Sequence, residues 1–424
     1  MWLNKDFLLK RGIYSICSSN EFVLNTAIEF AKEKNDFLLL EATCHQVNQF
    51  GGYTGLTPQK YREFINKLVK KYDFPKSKLI LGGDHLGPDP WKHLPSHQAM
   101  NYAEELIKSY VDAGFRKIHI DCSMPLGDDP EKLSIFTIAE REARLYEVAE
   151  KQAQKSDINL VYVVGTEVPV AGGGERQADV TTLNELEESF KSIQKHFPNS
   201  SEALKKIIAF VVRLGISFND RTIYEYNSYK VKNILEFFRK NNLFIEAHST
   251  DYQTQYSLKK MVEDGIRILK VGPSLTSRFR RAVFLLTLIE EEIIEKNKRS
   301  NLINTILHVM KSNPKNWEKY YNIFDKNIDI KLKYSFLDRI RYYWNNPRLK
   351  QSLNVLLKNL DNNIPLELLY QFFPLAFELI RLGKLKNDPK EIIKLEIKKE
   401  LEKYYLASIN SANQPNHLTK INNF

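Results

Sequence analysis

The sequence predicts an α/β fold: a (β/α)8 TIM barrel over residues 1–296 carrying the active site, with a C-terminal helical extension over 297–424. Three observations carry that expectation. Eight short apolar runs recur, each followed by a polar loop and most then by a helical stretch, the alternation of parallel strands with covering helices. The runs are rich in Ile, Val, Leu and Phe without clean polar alternation, as strands covered on both faces require. No glycine-rich GxGxxG turn follows the first run, which removes the simplest dinucleotide-binding open sheet.

In chain order the runs are 13–17, 37–41, 79–81, 117–120, 160–164, 207–212, 243–245 and 266–271. Between them, Thr57 followed by Pro58 reads as an N-cap with proline in the first helical position. Thr137 with Glu140, and Thr182 with Glu185, fit the capping box, in which each side chain satisfies the other residue's free amide. Gly114 and Gly265 stand where helices should stop. After the eighth run, 277–296 reads as a long amphipathic helix. Residues 297–407 read as helical, with Asp388 and Pro389 opening a last helix through Tyr405; the polar stretch 408–424 is expected to fray.

The bulk composition narrows the function classes. At 424 residues and 43% hydrophobic, the chain can hold a barrel of about 250 residues and a further region. Its formal net charge is +10, but the lysines are scattered, so most of the charge reads as solvated surface. Without a basic stripe interleaved with aromatics, no nucleic-acid partner is expected. Cys17, Cys44 and Cys122 form no CxxC pair and are odd in number, which argues for a reducing compartment. No run approaches the roughly 18 apolar residues of a membrane span, and the N-terminal stretch carries charges without a small-residue cleavage site. A cytoplasmic protein is expected.

In a barrel of this kind the C-terminal ends of all strands face one bowl, and six of the eight runs end in polar groups. Run two ends in Glu41 and continues through His45, Asn48 and Gln49; run three ends in Asp84-His85. Run four ends in His119, Asp121 and Ser123, and run five in Thr166-Glu167. Run seven ends in Glu246, His248, Ser249, Thr250 and Asp251, and run eight in Lys270, Gly272 and Pro273. One such end is explained by helix capping, Asp251 above all. Six converging ends are not, because unpaired buried charge is costly.

His85 and His248 sit at strand ends before short loops of small residues. Imidazole nitrogen suits zinc, manganese, nickel or cobalt, and Glu167 is the carboxylate that would complete an open site. His45 reads as a polar loop residue. Alternation by two puts His119 inside together with Asp121, and parity alone leaves its role open. Asp84, Glu246 and Asp121 are the candidate acid–base carboxylates. Lys270 suits either a Schiff base or charge balance; the surplus of acids around it favours balance. Ser249, Thr250, Asp251 and Gly272 lie beside helix N-termini, where barrels commonly hold phosphate. Glu41, Asn48 and Gln49 complete the candidate substrate contacts. Arg339 and Arg341, in a tyrosine-rich stretch, suit a bidentate phosphate contact or a structural ion pair. That stretch is expected to approach the bowl.

These segments resemble a known family. EATCHQVNQFGGYTG, LGGDHLGP, GTEVPV, EAHSTDYQT, ILKVGP and YSFLDRIRYYW, in this order from about residue 12 to about 405, are similar to the Z-type family of tagatose-1,6-bisphosphate aldolase. Two positions depart from its pattern: His45 where Asn is expected, and Cys122 where Ala is expected. The first argues against an essential metal role for His45. The resemblance implies a class II aldolase-like barrel. Z-type proteins are described as stabilising partners of a catalytic Y-type subunit, and related members as interconverting fructose and tagatose, or their 6-phosphates, at C4 with a divalent metal. By the same resemblance Asp84 acts in proton transfer, His85 binds metal, and His248 is the later metal-binding histidine before a phosphate loop. The expected protein is therefore an oligomeric, metal-dependent 4-epimerase or aldolase-type lyase acting on a ketose or ketose phosphate. The alternative is a non-catalytic stabilising subunit.

Overall fold

The computed structural model describes residues 3–165, 179–361 and 364–409. Eight parallel strands close into a barrel: β1 (Ile13–Cys17), β2 (Leu38–Thr43), β3 (Leu79–Leu86), β4 (Lys117–Ile120), β5 (Val161–Val164), β6 (Ile207–Val211), β7 (Ile245–Ala247) and β8 (Ile266–Val271). Closure comes from β1, which pairs with β2 through Ser15 opposite Leu39 and with β8 through Ser15 opposite Lys270. A two-stranded hairpin, Ser217–Phe218 with Ile223–Tyr224, follows β6 outside the barrel.

Strand parity sorts the interior into two halves. A separate apolar cluster holds Ile13, Leu39, Ile80, Val161, Ile208, Phe244 and Ile268, with Leu3 and Leu8 packed against it. The short helix Lys5–Lys10 thus closes the N-terminal end of the barrel. Stepping two residues along several of the same strands reaches Glu41, Gly82, Glu246 and Lys270, and two more reach Asp84 and His248. Side chains two apart share a face of a strand, so the charged groups stack above the apolar plug. The larger core cluster lies outside, between strands and helices.

Local signals explain most element ends. Thr57 accepts from the Lys60 amide, and Thr182 with Glu185 forms the capping box. Gly114 and Gly265 end their helices at φ of 79° and 102°. The other expected box is corrected. Ser134, not Thr137, caps the helix Ile135–Lys155, and its hydroxyl accepts from the Thr137 amide at 3.1 Å. A serine three residues earlier supplies the same oxygen in the same geometry. The long helix after β8 runs Pro273–Ile293 rather than from 277. Its cap is Asp251, whose Oδ1 accepts from the Gly272 and Ser274 amides at 3.0 and 2.8 Å. A cap donated from another strand leaves no local sequence signal.

β3 runs five residues past the expected run. Asp84 still pairs opposite Thr43 of β2, and Leu86 opposite Ile120 of β4, with a register break between Gly83 and Leu86. At that break His85 takes φ 47°, a left-handed conformation uncommon for a residue with a Cβ. Gly82 is required beside it, because a Cβ there would lie 2.8 Å from Glu41 Oε1.

The extension does not stand apart from the barrel. Its last helix, Pro389–Ser408, packs on Glu21–Glu33, Gln255–Glu263 and Pro273–Ile293. Asp388 caps it, accepting from the Lys390 and Glu391 amides. Lys394 and Lys398 both reach Glu29, at 2.7 and 2.6 Å, and the Gly12 amide donates to Ser408 O at 3.0 Å. Among the described residues, no helix is long and apolar enough to cross a membrane.

Candidate metal and sugar site

The C-terminal half of the lumen is built by β2, β3, β4, β7 and β8. Its floor is a buried charge network. Lys117 Nζ lies 2.5 Å from Glu41 and 2.6 Å from Glu246, all three with no solvent exposure. Lys270 Nζ contacts Asp84 and lies 3.0 Å from Glu246 and 3.3 Å from Glu41. Burial alone would push both ammonium groups down, but the carboxylates outweigh it: Glu246 raises Lys117, and Asp84 raises Lys270 well above the ordinary lysine range. A lysine so firmly protonated is a poor nucleophile. The geometry thus favours charge balance over a Schiff base. Glu41, Asp84 and Glu246 also group closely enough to hold an ion, but the two ammonium groups already fill that place.

Above the floor stand three imidazoles. The His85 and His248 rings are 4.8 Å apart, and His119 lies 4.8 Å from His85 and 5.0 Å from His248. One nitrogen from each ring and an oxygen of Asp84 lie within 4.8 Å of one another, and all four residues are buried. His119, left open by parity, therefore belongs to the group. His45 does not: its Nε2 bonds Asp89 at 2.7 Å on the surface. Glu167, the expected third ligand, and Thr166 lie outside the described residues.

Carboxylates orient the rings. Asp121 Oδ2 is 2.7 Å from His85 Nδ1, while its Oδ1 accepts from the Ser123 amide and hydroxyl. Glu246 Oε1 is 3.1 Å from His248 Nε2, and Asp84 Oδ1 is 2.9 Å from His119 Nδ1. All three acids are ionised. Burial raises each, but it is outweighed by His85 for Asp84 and Asp121, and by Lys117 for Glu246. An ionised carboxylate only accepts, so each shared proton sits on the imidazole, and in a neutral ring the opposite nitrogen keeps its lone pair. Burial would push His85 down, but Asp84 and Asp121 outweigh it and raise it, so a proton competes for its second nitrogen. The His85 amide also points at His119 Nδ1, at 3.1 Å; the charged Asp84 is the stronger partner. His119 Nε2 and His248 Nδ1 are buried without a hydrogen-bond partner. Burial holds both of these histidines below the ordinary range, hence neutral.

Orphaned imidazole nitrogens, each ring held by a carboxylate, fit a divalent cation of the zinc, manganese, nickel or cobalt kind. Asp121 and Glu246, expected as acid–base groups, are placed to position His85 and His248. Of the three candidates, Asp84 is the one grouped with the three imidazoles, and its second oxygen lies 3.3 Å from Cys17 Sγ.

The remaining candidates divide. Asn48 ties its own loop, accepting from the Phe50 and Gly52 amides, and Gln49 donates to Tyr102 O. Thr250 bonds Lys270 O, and its own carbonyl accepts from Tyr404 of the last helix. Ser249 sits at φ 56° directly after His248. Asp251 and Gly272 are engaged in the cap already described. The 335–342 stretch does approach the bowl: Phe336 O accepts from Tyr252 at 2.6 Å, and the Tyr342 ring lies 4.8 Å from Tyr53. Sequence reasoning passed over Lys117, Cys17 and Tyr53. The alternation that places His119 inside also places Lys117 inside, so that signal was present.

Comparison with known proteins agrees with this architecture. Residues 4–409 match the family described as D-tagatose-1,6-bisphosphate aldolase subunit GatZ/KbaZ-like. The chain is 40% identical over 400 residues to the D-tagatose-1,6-bisphosphate aldolase subunit GatZ of Salmonella dublin, covering 93% of this chain and 95% of that one. It also resembles the crystal structure of a probable tagatose 6-phosphate kinase from Sinorhizobium meliloti. There the TM-score is 0.86 at 35% identity, over 94% of this chain and 100% of that one.

Proposed function

Since the chain belongs to the GatZ/KbaZ-like family of tagatose-1,6-bisphosphate aldolase subunits, we propose that it is a metal-dependent enzyme of ketohexose or ketohexose phosphate chemistry that interconverts tagatose and fructose, or their 6-phosphates, at C4. The observation that carries this reading is the trio of oriented, buried imidazoles around Asp84. His85, His119 and His248 would hold the ion, with Glu167 a further candidate. A divalent ion there supplies Lewis-acid polarisation of the ketose carbonyl.

The protein's own groups do the rest. Asp84 accepts the C4 hydroxyl proton while the C3–C4 bond opens, and it returns that proton when the bond re-forms on the other face of the aldehyde. Lys270 keeps Asp84 ionised beforehand. Asp121 and Glu246 fix the ring orientations, and the buried walls keep the two halves of the sugar together. Release of the aldehyde instead would make the same site an aldolase.

A second reading rests on the Salmonella relative's being an aldolase subunit: a stabilising partner for a separate, Y-type catalytic chain. The names of the two relatives share tagatose chemistry and differ in reaction. Incubating the purified, metal-loaded protein alone with fructose 6-phosphate, and with fructose, separates the readings. Formation of tagatose 6-phosphate or tagatose is expected. No epimer across zinc, manganese, nickel and cobalt would turn the case to the partner subunit.

A further inference from the structure

The two arginines of the extension form a cationic pair without an acid. Arg339 lies 3.9 Å over the Tyr320 ring and 4.3 Å from the Tyr342 ring centroid, and its Nε donates to Asn316 O. Both guanidinium groups donate to the Tyr342 phenol, Arg339 at 3.3 Å and Arg341 at 3.0 Å. Among the described residues neither has a carboxylate within ion-pair distance. The nearest acid in sequence, Asp338, is engaged by Thr276 at 2.5 Å and Arg280 at 2.6 Å. Arg341 gives three of its five N–H groups to Leu337 O, Asp338 O and Tyr342, which leaves two donors of its fork. Two like charges drawn together on one phenol, without a counter-charge, call for an anion.

Their position says which anion. Tyr342 packs on Tyr53 of the loop after β2, and the Ser19 and Gln46 side chains lie beside the Tyr53 phenol. Gln46 Oε1 is 3.8 Å from Cys17 Sγ, itself 3.3 Å from Asp84. The cationic pair thus opens on the same bowl as the imidazoles. Meanwhile the place where a barrel commonly takes phosphate, the helix N-terminus after β8, is filled by the Asp251 carboxyl group.

We propose that Arg341, with the Tyr53 and Tyr342 phenols and with Arg339 clamping Tyr342, forms a phosphate-monoester subsite at the barrel mouth. The extension, not the β8 loop, then receives the phosphate of a ketose phosphate. This rests on the reading of the bowl as the sugar site, though not on the reaction performed there.

The test uses glucitol 6-phosphate and glucitol, which lack the carbonyl and cannot be cleaved, titrated calorimetrically into the full-length protein. The phosphate should improve binding about 100-fold, and Arg341→Met should remove about 10–100-fold of that gain, the scale of charge-assisted hydrogen bonds. Tyr53→Phe should remove about 3–10-fold. Arg348→Met, an exposed charge on the same extension, should change nothing. Equal binding of the two polyols, or a full phosphate gain retained in Arg341→Met, overturns the subsite. Should Arg341→Met fail to fold, Arg341→Lys and Tyr53→Phe decide by the same measure. A phosphate gain that depends on Arg341, in a protein that epimerises no ketose, sinks the reaction and leaves the subsite standing. Epimerisation of fructose 6-phosphate with an unaltered KM in Arg341→Met does the reverse.

Discussion

The lower and upper halves of the barrel lumen are lined by several of the same strands, one step of side-chain alternation apart, and they are opposite in chemistry. Below, Ile13, Leu39, Ile80, Val161, Ile208, Phe244 and Ile268 make a dry plug. Above, Glu41, Asp84, Glu246, Lys117 and Lys270 are as thoroughly buried, together with three imidazoles. Isolated charges would not survive there, because desolvating an ion costs several kcal/mol unless it is paired. Three carboxylates face two ammonium groups, which leaves negative charge over beside the imidazoles. The lower half is thus neutral, while the upper half holds surplus negative charge beside the imidazoles, which a proton on His85 or a bound cation offsets. If the charged layer carries the proposed chemistry and the plug only rigidity, mutations in the two halves should fail differently.

The sharpest break of that contrast is Asp84→Asn. It preserves shape and removes the proton acceptor, so turnover, compared in folded and metal-saturated protein, should fall about 10²–10⁴-fold. Equal rates in the two proteins would exclude Asp84 as the base. Next in size is Lys117→Met, which leaves Glu41 and Glu246 buried with one counter-charge fewer. Breaking a buried pair on one side costs about 3–5 kcal/mol, to be read from denaturant unfolding. A loss below about 1 kcal/mol would mean that water enters this layer. Asp121→Asn is milder, because it exchanges the charged acceptor beside His85 for a neutral amide without removing the ring. Metal affinity should drop about 10–100-fold, measured by competition with a chelator. Unchanged affinity would remove Asp121 from the support of the site.

The legibility of these halves in the sequence differs for a physical reason. The plug and its strands were readable, because buried parallel strands announce themselves as apolar runs. Strand ends bearing Asp84, His85, Glu246 and His248 were readable because a polar group closing such a run is anomalous. Lys117 was easy to pass over, since a lysine at the start of a run looks like a surface residue before an ordinary strand. Only its parity with His119 and Asp121 reveals it. The placement of Asp121 and Glu246 against histidine rings was also hidden, because a carboxylate that orients a histidine and one that moves a proton are the same residue type. The Asp251 cap on Pro273–Ile293 joins two strand ends by a contact with no sequence spacing to betray it.

The smallest expected effect is the control that gives the comparison its meaning. Ile208 is 1% exposed and belongs to the plug. It lies on β6, from which the ion-binding and charged groups described here draw nothing. Ile208→Val deletes one buried methylene group and leaves a β-branched side chain that still favours the strand. The expected cost is about 0.5–1.5 kcal/mol of stability, from lost transfer energy and a partly relaxed void. Because the plug is apolar and Ile208 lies on a strand that supplies none of the charged groups, metal affinity and turnover per folded molecule should match wild type. The two readings come from one preparation: the unfolding midpoint gives the stability loss, and metal titration with epimerisation below that midpoint gives the function. A metal affinity that falls along with stability would show that the plug sets the spacing of the charged layer, and the division of labour between the two halves would not hold.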